Sequence, residues 1–290
     1  HVYIQQEWDL ENVFLNITEE QYNEIFSNYL HPFTGINMVD LLFLKRGNSK
    51  ENYPKEKIAN HFGVQDDYLY EYAIPILNER AQSGQPFFTV LLSISNHPPY
   101  VIPSYFHPKS DKIEDQIVEY ADWSIRKFMT EAQKQPWFDN TLFVLIGDHG
   151  KLVGTPENEM PESYNHVPLM MYGKGITPQA INDFGGQIDV APTLLGMLGI
   201  NYTQNNFGVD LLKEKRPCIF YTADNLIAAR DSSQLYIHSP ETGQEFCYSL
   251  EGGTLKPSTY DKSFEALKAY VFPMLQATEQ LVKEGKTINK

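Results

Sequence analysis

Cysteine is nearly absent: Cys218 and Cys247 are the only two in 290 residues, so neither a disulfide framework nor a cysteine metal cluster holds this chain together. Long apolar runs are missing as well. None reaches membrane-spanning length, and the opening His1-Val2-Tyr3-Ile4-Gln5-Gln6 lacks the basic region and apolar core of a signal peptide. Basic residues are scarce, with 23 Lys and Arg against 37 Asp and Glu, for a formal net charge of −14. That balance argues against nucleic acid as a partner and against direct contact of the whole domain with an acidic membrane surface. An anionic substrate would then need local positive charge, which a bound metal ion supplies. There are no internal repeats or low-complexity tracts. What remains, 42% hydrophobic and 21% charged residues, is the composition of a globular chain long enough for one large α/β domain with a small appendage.

The chain is organised around Thr141–Gly150, where an apolar β-branched and aromatic run ends abruptly in Asp148 and His149. Such a run reads as a strand buried on both faces of a parallel sheet, and open α/β sheets place their chemistry just past strand carboxyl ends. A carboxylate beside a neutral imidazole, flanked by glycines that allow close backbone approach, makes a half-site for a divalent cation. The plainer alternative is a strand ending in a polar turn. Phe87–Ile94 is a second such strand and also ends in polar residues, Ser95-Asn96-His97-Pro98-Pro99, which makes His97 a second candidate.

Around these two strands, the spacing predicts a helix near 19–28 behind the capping box Thr18-Glu19-Glu20-Gln21, and a surface loop over 50–57. Apolar positions from Gln65 to Leu77 predict a helix, with Pro75 implying a kink or a late start. Ile117, Val118, Ala121, Ile125, Phe128, Met129 and Ala132 predict an amphipathic crossover helix, on which Asp122 reads as solvated. His166 stands at the start of a third strand, 167–172, and Asp189 reads as the N-cap of a helix to Leu198. The expected sheet has 87–94, 141–147 and 167–172 as parallel neighbours, with His97 and Asp148 at the same edge. Short alternating runs at 218–222, 225–230 and 234–238 predict a small antiparallel sheet, closed by a helix through Phe264, Leu267, Val271, Leu275 and Val282. The expected organisation is an α/β core over 1–212 and a β-rich subdomain with a terminal helix over 213–290.

Phe62-Gly63-Val64-Gln65-Asp66-Asp67, Ser95–Pro99, Gln135–Thr141, Gly147–Gly150, Ser163–Pro168 and Gln187–Leu195 occur in one order. Together, from about Asn37 to about Leu212, they resemble the sulfatase-like domain of the lipoteichoic acid synthase and phosphoglycerol transferase family, in the alkaline phosphatase superfamily. The resemblance implies a mostly parallel sheet flanked by helices. It implies that Asp148 and His149 are metal ligands, with manganese the expected ion and magnesium or calcium the alternatives. It implies that His97 faces the phosphoglycerol or phosphate group, and that His166 stands beside the site.

The family's threonine nucleophile and its remaining acidic ligand match positions upstream of the block beginning at Asn37, so an N-terminal part of the same protein, with membrane-spanning helices, is expected to carry them. Thr34 is a weak substitute. With Asp148 and His149 as the secured ligands, helped by His166, this chain alone is expected to bind manganese weakly. The implied activity is nucleophilic catalysis on a phosphodiester of an anionic glycerophospholipid or glycan, at the extracytoplasmic face of a bacterial membrane. Two alternatives are a sulfatase in the strict sense and a non-catalytic domain that binds anionic glycans.

Overall fold

A computed structural model describes Val2–Tyr3 and residues 54–60, 63–152, 154–204, 207–223 and 225–284. The expected helix near 19–28, the first half of the 50–57 loop and Thr34 lie outside the described residues. In chain order the elements are β1 (Val2–Tyr3), β2 (Ile58–Asn60), β3 (Gly63–Val64), α1 (Asp66–Gln82), α2 (Ile113–Ala132), β4 (Phe143–Ile146), α3 (Glu162–Asn165), β5 (His166–Val167), β6 (Leu169–Tyr172), β7 (Gly185–Gly186), α4 (Val190–Met197), β8 (Ile219–Ala223), β9 (Leu226–Arg230), β10 (Gln234–His238), β11 (Glu245–Glu251), β12 (Thr254–Ser258) and α5 (Glu265–Lys283). The chain forms two compact units, Gly35–Thr141 and His1–Thr34 with Leu142–Lys290. The expected boundary at 212/213 falls inside the second of these.

In the unit Gly35–Thr141, α1 buries Leu69, Ala73 and Leu77, one residue per turn on a single face, and runs without a break through Pro75. Asp66 and Asp67 occupy its first turn, where the helix dipole favours negative charge. The buried face of α2 is Ile117, Tyr120, Ser124 and Ala132. Val118, expected on that face, is 53% exposed, and Asp122 is exposed as expected. The two helices meet through Tyr70 and Phe128, whose ring centroids are 5.3 Å apart, and through Asp67, which accepts hydrogen bonds from Tyr120 Oη (2.6 Å) and Lys127 Nζ (3.2 Å). Phe87–Ile94 alternates between half-buried and exposed side chains over 87–92, as an extended chain does, but forms no strand ladder among the described residues.

The other unit corrects the expected sheet. β4 and β6 are antiparallel, with Phe143 opposite Tyr172 and Ile146 opposite Leu169. A parallel pair needs a crossover of a dozen or more residues, usually helical, to return the chain to the starting edge. Among the described residues of 147–168 the one helix is the single turn α3, and the segment leaves and re-enters the ladder at one end. β4 is also half-buried rather than buried on both faces, with Ile146 and Met170 exposed towards that end and Tyr172 exposed at the other. β1 lies between β5, antiparallel, and β7, parallel.

The C-terminal sheet is an antiparallel meander, β12-β11-β10-β9-β8. Alternation sends Leu235 and Ile237 to one face with Met160, Ile219 and Tyr221, and Tyr236 to the other, against Phe264, Leu267 and Val271 of the closing helix. Cys218 and Cys247 are buried free thiols on that second face, and burial pushes the Cys218 thiol up to about 11. Val282, expected on the helix's inner face, is 62% exposed. The β11–β12 hairpin turns on Gly252 and Gly253, both at positive φ (58° and 82°), which a two-residue turn of this hand requires.

Asp189 occupies the N-cap position of α4, but its side chain does not cap that helix. Fully buried, it accepts from the amides of Gly186 and Val209, both at 2.8 Å, and from the Arg216 guanidinium through Nε (2.7 Å) and Nη2 (2.6 Å). This fork joins the start of α4 to the segment leading into β8.

Candidate functional site

At the end of β4 the backbone turns sharply, and Asp148 Oδ1 accepts from the His149 amide at 2.8 Å. The His149 ring is held by its own neighbour, with Nδ1 2.7 Å from the Gly150 carbonyl oxygen. A carbonyl can only accept, so Nδ1 carries the proton and neutral His149 presents the lone pair of Nε2. That nitrogen lies 3.8 Å from Asp148 Oδ2. Two lone-pair donors at this separation repel unless a proton or a cation stands between them. Both side chains are open to solvent, 43% for His149 and 74% for Asp148. The pair therefore fits a divalent cation as two of its ligands, with the backbone carbonyl orienting the imidazole. Among the described residues no group of three or more His, Cys, Asp or Glu side chains converges on one such point.

The turn at 161–166 packs against this corner. The Gly150 amide donates to the Tyr164 carbonyl (2.7 Å), and the Tyr164 ring stacks on His149 with centroids 5.1 Å apart and planes at 26°. The approach is so close that a Cβ on Gly150 would lie 2.2 Å from the Ser163 carbonyl oxygen. Gln187 Nε2 reaches across from the start of the next helical segment to the carbonyls of Gly147 (3.0 Å) and Asp148 (2.9 Å). Glu162 accepts from Arg230 Nε at 3.0 Å, and Arg230 is almost wholly buried at the end of β9.

His166 follows as the first residue of β5, half-buried and paired in register with Tyr3. Burial, aided by the Arg230 charge and opposed by Glu162, holds its pKa below the ordinary histidine value, so it is neutral at pH 7. The structure thus brings Asp148 and His149 together, with His166 two residues beyond the tyrosine that stacks on them.

His97 belongs to the other unit. Its amide donates to the Ile94 carbonyl (3.0 Å), and its Nδ1 lies 2.6 Å from the Pro98 carbonyl oxygen, so in the neutral form of this ring too the proton is on Nδ1 and the lone pair on Nε2. The segment leading to it is fixed by buried Asp66. Oδ1 of Asp66 accepts from the amides of Ile94 (3.0 Å) and Ser95 (2.9 Å), while the Asp66 amide donates to Ser95 Oγ (3.1 Å). Burial raises the Asp66 pKa against these hydrogen bonds.

Tyr164, Gln187, Asp66 and Arg230 drew no role from sequence. Tyr164 and Gln187 lie inside the ordered blocks, and Asp66 opens a helix with a second acid. Arg230, at the end of an alternating run, carries no such signal.

The family model described as Sulfatase matches residues 10–200. Lipoteichoic acid synthase 2 of Bacillus subtilis is 26% identical over 251 residues, covering 73% of this chain and 34% of that protein. The lipoteichoic acid synthase of Staphylococcus saprophyticus is 27% identical over 193 residues, covering 55% of this chain and 27% of its own length. The chain thus spans about a third of the length of the curated relatives it matches. Among solved structures, a protein of the alkaline phosphatase superfamily from Vibrio parahaemolyticus aligns with TM-score 0.71 at 24% identity, over 83% of this chain and 60% of that one. The lipoteichoic acid synthase LtaP from Listeria monocytogenes aligns with TM-score 0.66 at 21% identity, over 81% and 63%. These likenesses establish an alkaline phosphatase/sulfatase-like α/β fold.

Proposed function

The chain belongs to the sulfatase family, and on that premise we propose that it is part of a metal-dependent phosphoglycerol transferase or phosphodiester hydrolase acting on an anionic glycerophospholipid or glycan of the cell envelope. The observation that carries the reading is the Asp148–His149 pair, with its oriented Nε2 facing a carboxylate at the mouth of an antiparallel ladder. Its relatives named lipoteichoic acid synthase support phosphoglycerol transfer over sulfate ester hydrolysis.

In this reading Asp148 and His149 hold a divalent ion, manganese in the first instance with magnesium or calcium as alternatives. A bound ion would supply a positive charge that lowers the pKa of an attacking hydroxyl and offsets the charge of the phosphodiester. The attacking oxygen forms a bond to phosphorus and the bond to the leaving oxygen breaks. His97 Nε2 accepts a proton when the ring is neutral and donates one to a phosphate or leaving oxygen when it is imidazolium, because Nδ1 is committed to Pro98. Neutral His166, two residues beyond Tyr164, would serve as an acceptor. An acceptor hydroxyl, or water, completes the transfer. The site of action is the extracytoplasmic face of a bacterial membrane, to which another part of the protein anchors it; among the described residues no helix is long and apolar enough to cross a membrane.

The test offers the protein carrying this chain two chromogenic esters, a glycerophosphodiester and an aryl sulfate, with manganese and with EDTA. Manganese-dependent cleavage of the phosphodiester with the sulfate untouched is the expected result. Preferential cleavage of the sulfate would overturn the proposal, and binding of anionic glycan without turnover of either ester would favour a binding domain.

A further inference from the structure

The ring of Tyr164 has no part in the chemistry just described, yet it lies flat against His149, and the turn that carries it is built as a support. Three contacts hold that turn. The Gly150 amide donates to the Tyr164 carbonyl at 2.7 Å, the Gly150 position leaves no room for a Cβ beside Ser163, and Glu162 takes Arg230 Nε at 3.0 Å from the C-terminal sheet. Arg230 is itself fixed: it donates to the Asp231 carbonyl and lies over the Phe184 ring at 5.7 Å. Without a stacked neighbour, a 43% exposed imidazole at the end of a strand would be restrained by one hydrogen bond to the adjacent residue. We propose that Tyr164 is a positioning residue for His149, its ring holding the imidazole plane so that Nε2 faces Asp148, and that the C-terminal sheet anchors this hold through Arg230 and Glu162. The inference rests on the reading of His149 as a metal ligand, and it gives the C-terminal sheet a part in the site.

Tyr164→Phe keeps the stacked ring, Tyr164→Met fills much of the volume without a π face, and both are made in the full chain. Two readouts are used: manganese affinity by electron paramagnetic resonance of the free ion, and the ¹⁵N signals of the His149 ring in the metal-free protein. The expected result is that Tyr164→Phe matches the wild type within about threefold, while Tyr164→Met binds manganese about 10- to 100-fold more weakly, the usual effect of losing a residue that orients a ligand. Its His149 signals move from a single Nδ1–H tautomer toward a mixture, with the thermal midpoint little changed. Equal affinity and unchanged ring signals in Tyr164→Met would overturn the proposal. Should Tyr164→Met fail to fold, Glu162→Gln reads the anchor in the same way, and unchanged ring signals there would overturn the role given to Arg230. A wild-type chain that takes no manganese would overturn the ligand reading of His149, whereas the ring signals still judge the hold of Tyr164.

Discussion

One added methyl group tests the corner at Asp148 most sharply. A Cβ on Gly150 would sit 2.2 Å from a backbone oxygen, a contact that no side-chain rotation relieves. Gly150→Ala is expected to cost about 1–3 kcal/mol, the range for overpacking, seen as a lower midpoint in thermal unfolding, and to weaken manganese binding because Tyr164 moves with Ser163. At this scale the rule that chemistry follows a strand end singles out Asp148, His149 and His97; the first two do follow β4, whereas the run before His97 forms no strand ladder among the described residues. Tyr164 and Gln187 were not legible, because stacking and a bridge across 40 residues of chain leave no periodic trace. Asp189 was read as a cap because Asp before an apolar helix usually is one; its partner Arg216 lies too far along the chain to suggest the fork.

At the scale of elements, α1 and α2 are joined at one carboxylate. Burial works against ionised Asp67, but the Tyr120 and Tyr105 hydroxyls and the Lys127 ammonium outweigh it and hold its pKa below the ordinary carboxylate range. Asp67 therefore contributes stability that is present above about pH 3.9, its value in the unfolded chain, and is lost as pH falls through its lowered folded value. Asp66, raised by burial, has the opposite sign: its contribution is present below about pH 3.9 and is lost as pH rises through the raised value. Denaturant unfolding between pH 3 and pH 6 should separate the two. Asp67→Asn should flatten the acid limb, and Asp66→Asn should remove the decline above it. Tyr120→Phe, which deletes one buried donor to a charged acceptor, should cost about 1.5–3 kcal/mol by the same measurement.

Helices α1, α2, α4 and α5 were legible because their apolar period survives in the sequence, and so were the first three strands of the C-terminal sheet; the single turn α3, in a polar stretch, was not. The direction of β6 was not. An apolar run fits a parallel or an antiparallel strand equally well, and only the path of residues 147–168 decides between them.

For the whole molecule, the C-terminal sheet is tied to the site-bearing region by two arginine-carboxylate pairs, Arg230 with Glu162 and Arg216 with Asp189. Burial disfavours a charged Arg216, and the Asp189 carboxylate more than offsets it, so Arg216 stays ionised. Removing one partner strands a buried charge. Asp189→Ala should therefore cost about 3–5 kcal/mol in global unfolding, far more than a surface pair.

The central claim is that Asp148 and His149 hold the ion on which phosphodiester chemistry depends. The most direct test is a manganese titration of the full-length protein and its Asp148→Asn variant, following bound metal and cleavage of a glycerophosphodiester in the same samples. The account predicts that the wild type gains bound metal and activity together and that Asp148→Asn loses both in step while keeping its thermal midpoint. Undiminished metal-dependent turnover in Asp148→Asn would contradict it.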